Sequence, residues 1–125
     1  MRLLLLTALA ALACQAPTQI APGQSFVMAV GDTVAVSGTD LAIVFREVTD
    51  SRCPRTVLCI WAGEARVTLH LRTASDSVTV DLPVPSSSRA GSWLAEALEI
   101  APYPEGGTPI PRDRYRLTLR VVAAP

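Results

Sequence analysis

The residues best equipped for chemistry in this chain are Cys53 and Cys59, within "DSRCPRTVLCIWAGEA", residues 50–65. Such a pair suits a metal site, a redox couple or a structural bridge. A structural zinc site needs four thiolate or imidazole ligands. Beyond the pair the chain holds Cys14, which the N-terminal segment accounts for below, and one histidine, His70. That set is too small unless carboxylates join or two chains share the ion. A thioredoxin-like couple has two residues between its cysteines and opens a helix, whereas five intervene here. A disulfide closing a tight loop remains, as expected of an exported chain. For so small a ring, loop-closure entropy gives a stabilisation of about 2 kcal/mol. Pro54 stiffens the loop, Trp61 is expected to cover the bridge with its ring, and Gly63 to mark a bulge or a close backbone approach.

Few other residues can do chemistry. The sequence has neither a nucleophile elbow nor a phosphate-cradling glycine loop. His70 falls on the polar face of an alternating segment, with no nucleophile in reach, and reads as a solvated side chain. Asp50 and Glu64 flank the cysteine loop and suit ion pairs with Arg52, Arg55 or Arg66 better than acid–base work. No catalytic residue, metal or cofactor is expected. Binding has two candidates. Arg66 and Arg72 on one segment and Arg114, Arg116 and Arg120 on another would form a stripe for phosphate or carboxylate groups of an envelope glycan or lipid, if those segments were neighbours. Otherwise they are a solvated face countered by Asp76, Asp81, Glu96 and Glu99. Tyr103, in the proline-rich "APYPEGGTPIP", could dock in a partner's groove; the plainer reading of that stretch is a crossing between sheets.

Short strands must position these residues. "ARVTLHLRT" alternates, with Val67, Leu69 and Leu71 on one face and Arg66, Thr68, His70 and Arg72 on the other. "DSVTVDL" repeats the pattern with Val78, Val80 and Leu82 inward, and "RYRLTLRV" with Tyr115, Leu117, Leu119 and Val121 inward. Earlier, "FVMAV", "TVAVS" and "LAIVFREV" are separated by turn signals at Gly31-Asp32 and Gly38-Thr39-Asp40. "SWLAEALEI" is ambiguous, because Trp93, Leu94, Ala97 and Ile100 also sit at helical spacing. The expected fold is all-β: a small antiparallel β-sandwich of immunoglobulin type with about seven strands. A Greek-key barrel is the alternative.

The N-terminal "MRLLLLTALAALAC" has the layout of a secretory signal, and its apolar run is shorter than the about 20 residues a membrane span needs. Ala13 directly before Cys14 resembles the lipobox of bacterial lipoproteins, which implies a lipid on Cys14. Plain cleavage, leaving Cys14 as a thiol in a secreted or periplasmic protein, is the alternative. Cysteine parity favours the lipid, since it consumes the odd cysteine while Cys53 and Cys59 pair. Residues 1–13 are thus read as signal peptide, 14–24 as lipidated cysteine and flexible tether, and 25–125 as the disulfide-stapled domain. Removing Arg2 leaves ten arginines, no lysine and eleven acidic residues, a balance that gives no reason to expect nucleic acid as a partner. Gln15 after the lipid site is similar to the signal for release to the outer membrane in bacteria with two membranes.

"DSRCPRTVLCIWAGEARVTL" resembles a motif, SRCPxxVxCxWAGxAxVxL, of a family of small exported bacterial proteins and lipoproteins. "IAPYPEGGTPIPRDRYRLTLRV" resembles that family's proline-rich connector and last strand. Leu58 stands where the family pattern has a polar residue. The resemblance implies a β-rich exported domain and supplies no catalytic residue. The function expected is a non-catalytic envelope lipoprotein, a binding or structural module with the membrane as partner through its lipid. The alternatives are a peptidase inhibitor presenting the disulfide loop and, third, a small hydrolase or metal-binding protein.

Overall fold

The computed structural model describes residues 18–125; the signal-peptide reading of 1–13 and the expected lipid site at Cys14 lie outside them. Among the described residues nine strands form: β1 Thr18–Ile20, β2 Ser25–Ala29, β3 Thr33–Val36, β4 Ala42–Asp50, β5 Ala65–Arg72, β6 Ser77–Val84, β7 Ser86–Ala90, β8 Trp93–Ala101 and β9 Arg116–Ala123. They make two sheets, β1-β3-β4-β5-β6 and β2-β9-β8-β7, which enclose one core. The β-sandwich is therefore the fold, as two separate sheets rather than one closed barrel. Every pairing is antiparallel except β1 with β3.

The alternation read from the sequence builds the core. Val67, Leu69 and Leu71 of β5 are buried, as are Leu117, Leu119 and Val121 of β9, together with Met28, Ile43 and Phe45. Leu82 and Val80 pack against this cluster from β6, but Val78 is exposed because β6 is an edge strand. The strands beyond the expected seven are those with the weakest pattern. β1 has three residues and lies within the expected tether, and β7, "SSSRA", has no apolar alternation.

β-Bulges in β4 and β8 decide where side chains point. In each the register shifts by one residue, between Phe45 and Glu47 and between Ala97 and Glu99. A bulge inserts one residue and reverses the in–out parity beyond it. In β8 the inward set becomes Ala95, Ala97, then Ile100, so a strand acquires the three-residue step that imitates a helix. In β4 the inward set passes from Ile43 and Phe45 to Val48 and Asp50, which oppose the buried Val67 and Ala65. The bulge thus turns a carboxylate toward the space between the sheets.

Candidate functional site

Asp50 ends β4 at one open end of the sandwich, where the disulfide loop and the connector from β8 to β9 meet. Arg52 grips it side-on through one guanidinium edge, Nε to Oδ1 at 2.8 Å and Nη2 to Oδ2 at 2.8 Å. The Tyr115 hydroxyl donates to Oδ2 at 2.9 Å. The same guanidinium donates to the carbonyls of Ile100 (3.0 Å) and Pro102 (2.9 Å) at the end of β8. One side chain on the five-stranded sheet's loop therefore fastens the end of the four-stranded sheet. Burial, the largest single influence, pushes the Asp50 carboxyl up. Hydrogen bonds from Arg52 and Tyr115, with the Arg52 charge, outweigh it and hold the group below the usual carboxylate range. Burial and the adjoining carboxylate push the Tyr115 phenol up to about 12.

Beyond this clamp the β4–β5 hairpin continues as an irregular ladder. Ser51 N–H donates to the Glu64 carbonyl at 2.9 Å and Cys53 N–H to the Ala62 carbonyl at 2.8 Å. Gly63 has φ of 66° and approaches the Ser51 backbone so closely that a Cβ there would lie 1.8 Å from the Ser51 carbonyl oxygen. The expected close approach is thus at Gly63. The Cys53–Cys59 disulfide closes the tip. It bridges residues within one loop and does not join the sheets, unlike the inter-sheet bridge of immunoglobulin domains.

The connector, residues 102–115, joins β8 to β9, adjacent strands of one sheet. It is not the crossing between sheets that its sequence suggests. It folds over the disulfide loop, where Arg55 N–H donates to the Pro104 carbonyl at 3.1 Å and Thr56 N–H to the Glu105 carbonyl at 3.3 Å. The Thr56 hydroxyl also donates to the Glu105 carbonyl. Tyr103 donates its hydroxyl to the Cys53 carbonyl at 2.9 Å, and the guanidinium carbons of Arg52 and Arg55 lie 4.9 and 5.0 Å from its ring centroid. Its hydroxyl and ring therefore brace the loop, while the side chain stays 39 % exposed.

These braces leave the tip of the loop in solvent. Leu58 and Ile60 are fully exposed (101 and 107 %), Trp61 is 80 % exposed and Val57 49 %. The expectation that Trp61 covers the disulfide is corrected: its ring stands out in solvent, and Cys59 is itself exposed. Sequence reasoning missed this apolar run because it read the loop for its cysteines; Leu58 at a position expected to be polar was the available signal.

The remaining candidates disperse. Arg66 and Arg72 lie on β5, and Arg116 and Arg120 on β9, in different sheets. All four leave the core for opposite outer surfaces, while Arg114 sits in a short 3-10 turn, Arg112–Arg114. The stripe is therefore not assembled. Arg66 pairs with Glu64 (2.9 Å) and Asp81 (3.2 Å), and Arg120 with Glu96 (2.7 Å), while Arg116 donates to the carbonyls of Asp113 and Tyr115. His70 shares a 3.0 Å hydrogen bond with Thr79 on the outer face of β5. It is six residues from Glu64 along that strand, about 20 Å away at strand rise, and Asp50 faces the interior. No acid–base cluster results. Among the described residues no group of three His, Cys, Asp or Glu side chains could hold a metal ion.

A cavity of about 270 Å³ opens between the two loops, lined by Asp50, Arg52, Tyr115 and connector residues including Pro104, Thr108 and Ile110. Its ionic groups are matched to one another, so it presents a structural cross-link to any molecule entering it. The disulfide's contribution can be measured directly. Replacing Cys53 and Cys59 together by serine is expected to lower stability by about 2 kcal/mol in urea unfolding, with both sheets retained by circular dichroism. Comparison with family models, curated proteins and solved structures finds no match to this chain, so the site rests on its own geometry: a braced loop holding an apolar tip in water.

Proposed function

We propose that this protein is a non-catalytic binding module of the bacterial cell envelope, anchored by a lipid on Cys14 and acting through the disulfide loop. The observation that carries the reading is the exposed run Val57, Leu58, Ile60 and Trp61 on a loop braced by Tyr103, Thr56 and the bridge. Large apolar side chains held in solvent cost solubility and gain meaning only when something covers them. The anchor rests on the secretory layout and the small residue before Cys14. The membrane placement, outer membrane where there are two, follows from the same segment.

Intact mass of the protein from native membranes tests the anchor. A diacyl or triacyl mass on a chain beginning at Cys14, with two thiols appearing on reduction, is expected; an unlipidated chain would make the protein secreted or periplasmic. The full exposure of Leu58 and Ile60 on a preorganised loop also favours a second reading, a peptidase inhibitor that seats this loop in an active-site cleft at little entropic cost. If no envelope or secreted peptidase is slowed by the soluble domain, that reading fails.

A further inference from the structure

The disulfide loop is held in two unequal halves. From Cys53 to Thr56 the backbone is fastened to the body. Cys53 N–H donates to the Ala62 carbonyl, the Tyr103 hydroxyl donates to the Cys53 carbonyl, and the Arg55 and Thr56 N–H groups donate to the connector. From Leu58 to Trp61 no residue makes a hydrogen bond to any other described residue. The S–S bond at Cys59 is what ties this half to the braced one. That bond also stands near the surface, with Cys59 exposed and Cys53 half-buried. A bridge buried between sheets is reduced only after the sheets part, whereas a thiol can reach this one in the folded chain. Both sheets, the Asp50–Arg52 clamp and the bonds to the connector do not depend on it. The ring is small, so the entropy its closure removes from the unfolded chain is small too.

We infer that Cys53–Cys59 is a redox switch for the loop, opened in the folded protein by a dithiol reductant. A thiolate of the reductant attacks Sγ of Cys59, the more exposed residue of the pair. An S–S bond to the reductant forms as the Cys53–Cys59 bond breaks, and Cys53 leaves as a thiolate that takes up a proton. The reductant's second thiolate then attacks its own sulfur in the mixed disulfide, which releases Cys59 as a thiolate and closes the reductant's disulfide. Cys59 is protonated in turn. Two electrons have passed from the dithiol to the pair, and the two protons taken up match those the dithiol released. Once opened, the loop keeps its braced half and loses the fixed course of Leu58–Trp61, so the apolar tip is preorganised only in the oxidised chain. For its bearing on binding the inference rests on the proposed function; the switch itself does not.

The test uses the oxidised chain with Cys14→Ser, so that the pair supplies the only thiols, and dithiothreitol as the reductant. Attack in the folded state gives a reduction rate that changes less than about twofold on adding about 1 M urea, whereas reduction that waits for unfolding speeds up at least about fivefold per molar. After reduction and alkylation both sheets should remain by circular dichroism, while thermolysin cleavage within Leu58–Trp61 should quicken at least about tenfold. In glutathione buffers the reduced fraction should rise with the ratio of thiol to disulfide, and reoxidation should restore the resistant loop. A rate that follows unfolding, loss of the sheets on reduction, equal cleavage of the two forms, or a pair that stays oxidised at every glutathione ratio would each overturn the inference. None of these readouts involves a partner, so the switch and the proposed binding can fail separately.

Discussion

Gly63→Ala is expected to destabilise the domain by at least about 3 kcal/mol, read as a lower urea midpoint at unchanged m value. The two contributing costs are separate. A φ of 66° is costly for a residue with a Cβ, about 1 kcal/mol or more. The Cβ would also stand 1.8 Å from the Ser51 carbonyl oxygen, and backbone cannot yield as the end of a flexible side chain can. The two sides of the hairpin must part, which weakens the Ser51–Glu64 and Cys53–Ala62 hydrogen bonds that bring the ladder to the disulfide. Gly38→Ala is the internal control: it shares a positive φ, 73°, but has open space around its Cβ. It should therefore show only the smaller conformational cost. Equal losses at the two positions would mean that the close approach at Gly63 does not matter.

Arg52→Met is expected to lose about 3 kcal/mol, the lower end of the range for breaking a buried ion pair. Methionine keeps the apolar stem and removes every donor. Asp50 is then left with Tyr115, while the carbonyls of Ile100 and Pro102 lose the partner that joins them to the disulfide loop. The side chains of Arg52 and Asp50 are 12 and 9 % exposed, so water replaces the lost bonds poorly. The double variant Asp50→Asn with Arg52→Met should recover part of the loss, because no unpaired charge remains. If each single variant and the double lose the same small amount, the pair is merely superficial.

The same clamp sets the pH limits of stability. Asp50 has a folded-state pKa below its unfolded value, so its contribution is present above the ordinary carboxylate range and is lost as pH falls through the folded value. Tyr115 is raised from 10.0 to about 12. Its contribution is full below pH 10 and is lost as pH rises toward 12. Wild-type stability should therefore be flat through neutral pH and fall at both ends, with the acid limb beginning below about pH 4. In Arg52→Met the acid limb should shrink, since the bonds and charge that held the folded-state carboxyl below its unfolded value have gone and burial pushes it back up. In Tyr115→Phe the alkaline limb should lose this contribution.

Much of the fold is legible in the sequence because strand alternation is local. A residue's neighbours two positions away share its face, so Val67, Leu69 and Leu71, or Leu117, Leu119 and Val121, declare a core without reference to the rest of the chain. The disulfide is local as well, resting on ligand counting. Where a bulge breaks the local rule the sequence misleads: the Ala97-to-Ile100 step looks helical because one residue, Leu98, is inserted into a strand. Two of the edge strands escape for the opposite reason. β1 and β7 take their identity from a neighbour's hydrogen bonds rather than from their own apolar pattern.

What the tertiary structure decided is every relation between distant segments. Five arginines on two alternating strands look alike in the sequence, but the sheet assignment sends β5 and β9 to opposite faces and separates them. Tyr103 acquired a hydrogen bond to Cys53, fifty residues away, which made it a brace. Trp61 was left in solvent because the connector covers the base of the loop and stops short of its tip. Side-chain periodicity sets which face of its own strand a residue takes. Which other strand that face meets depends on the order of strands in the sheets, and that order is a property of the whole chain's packing.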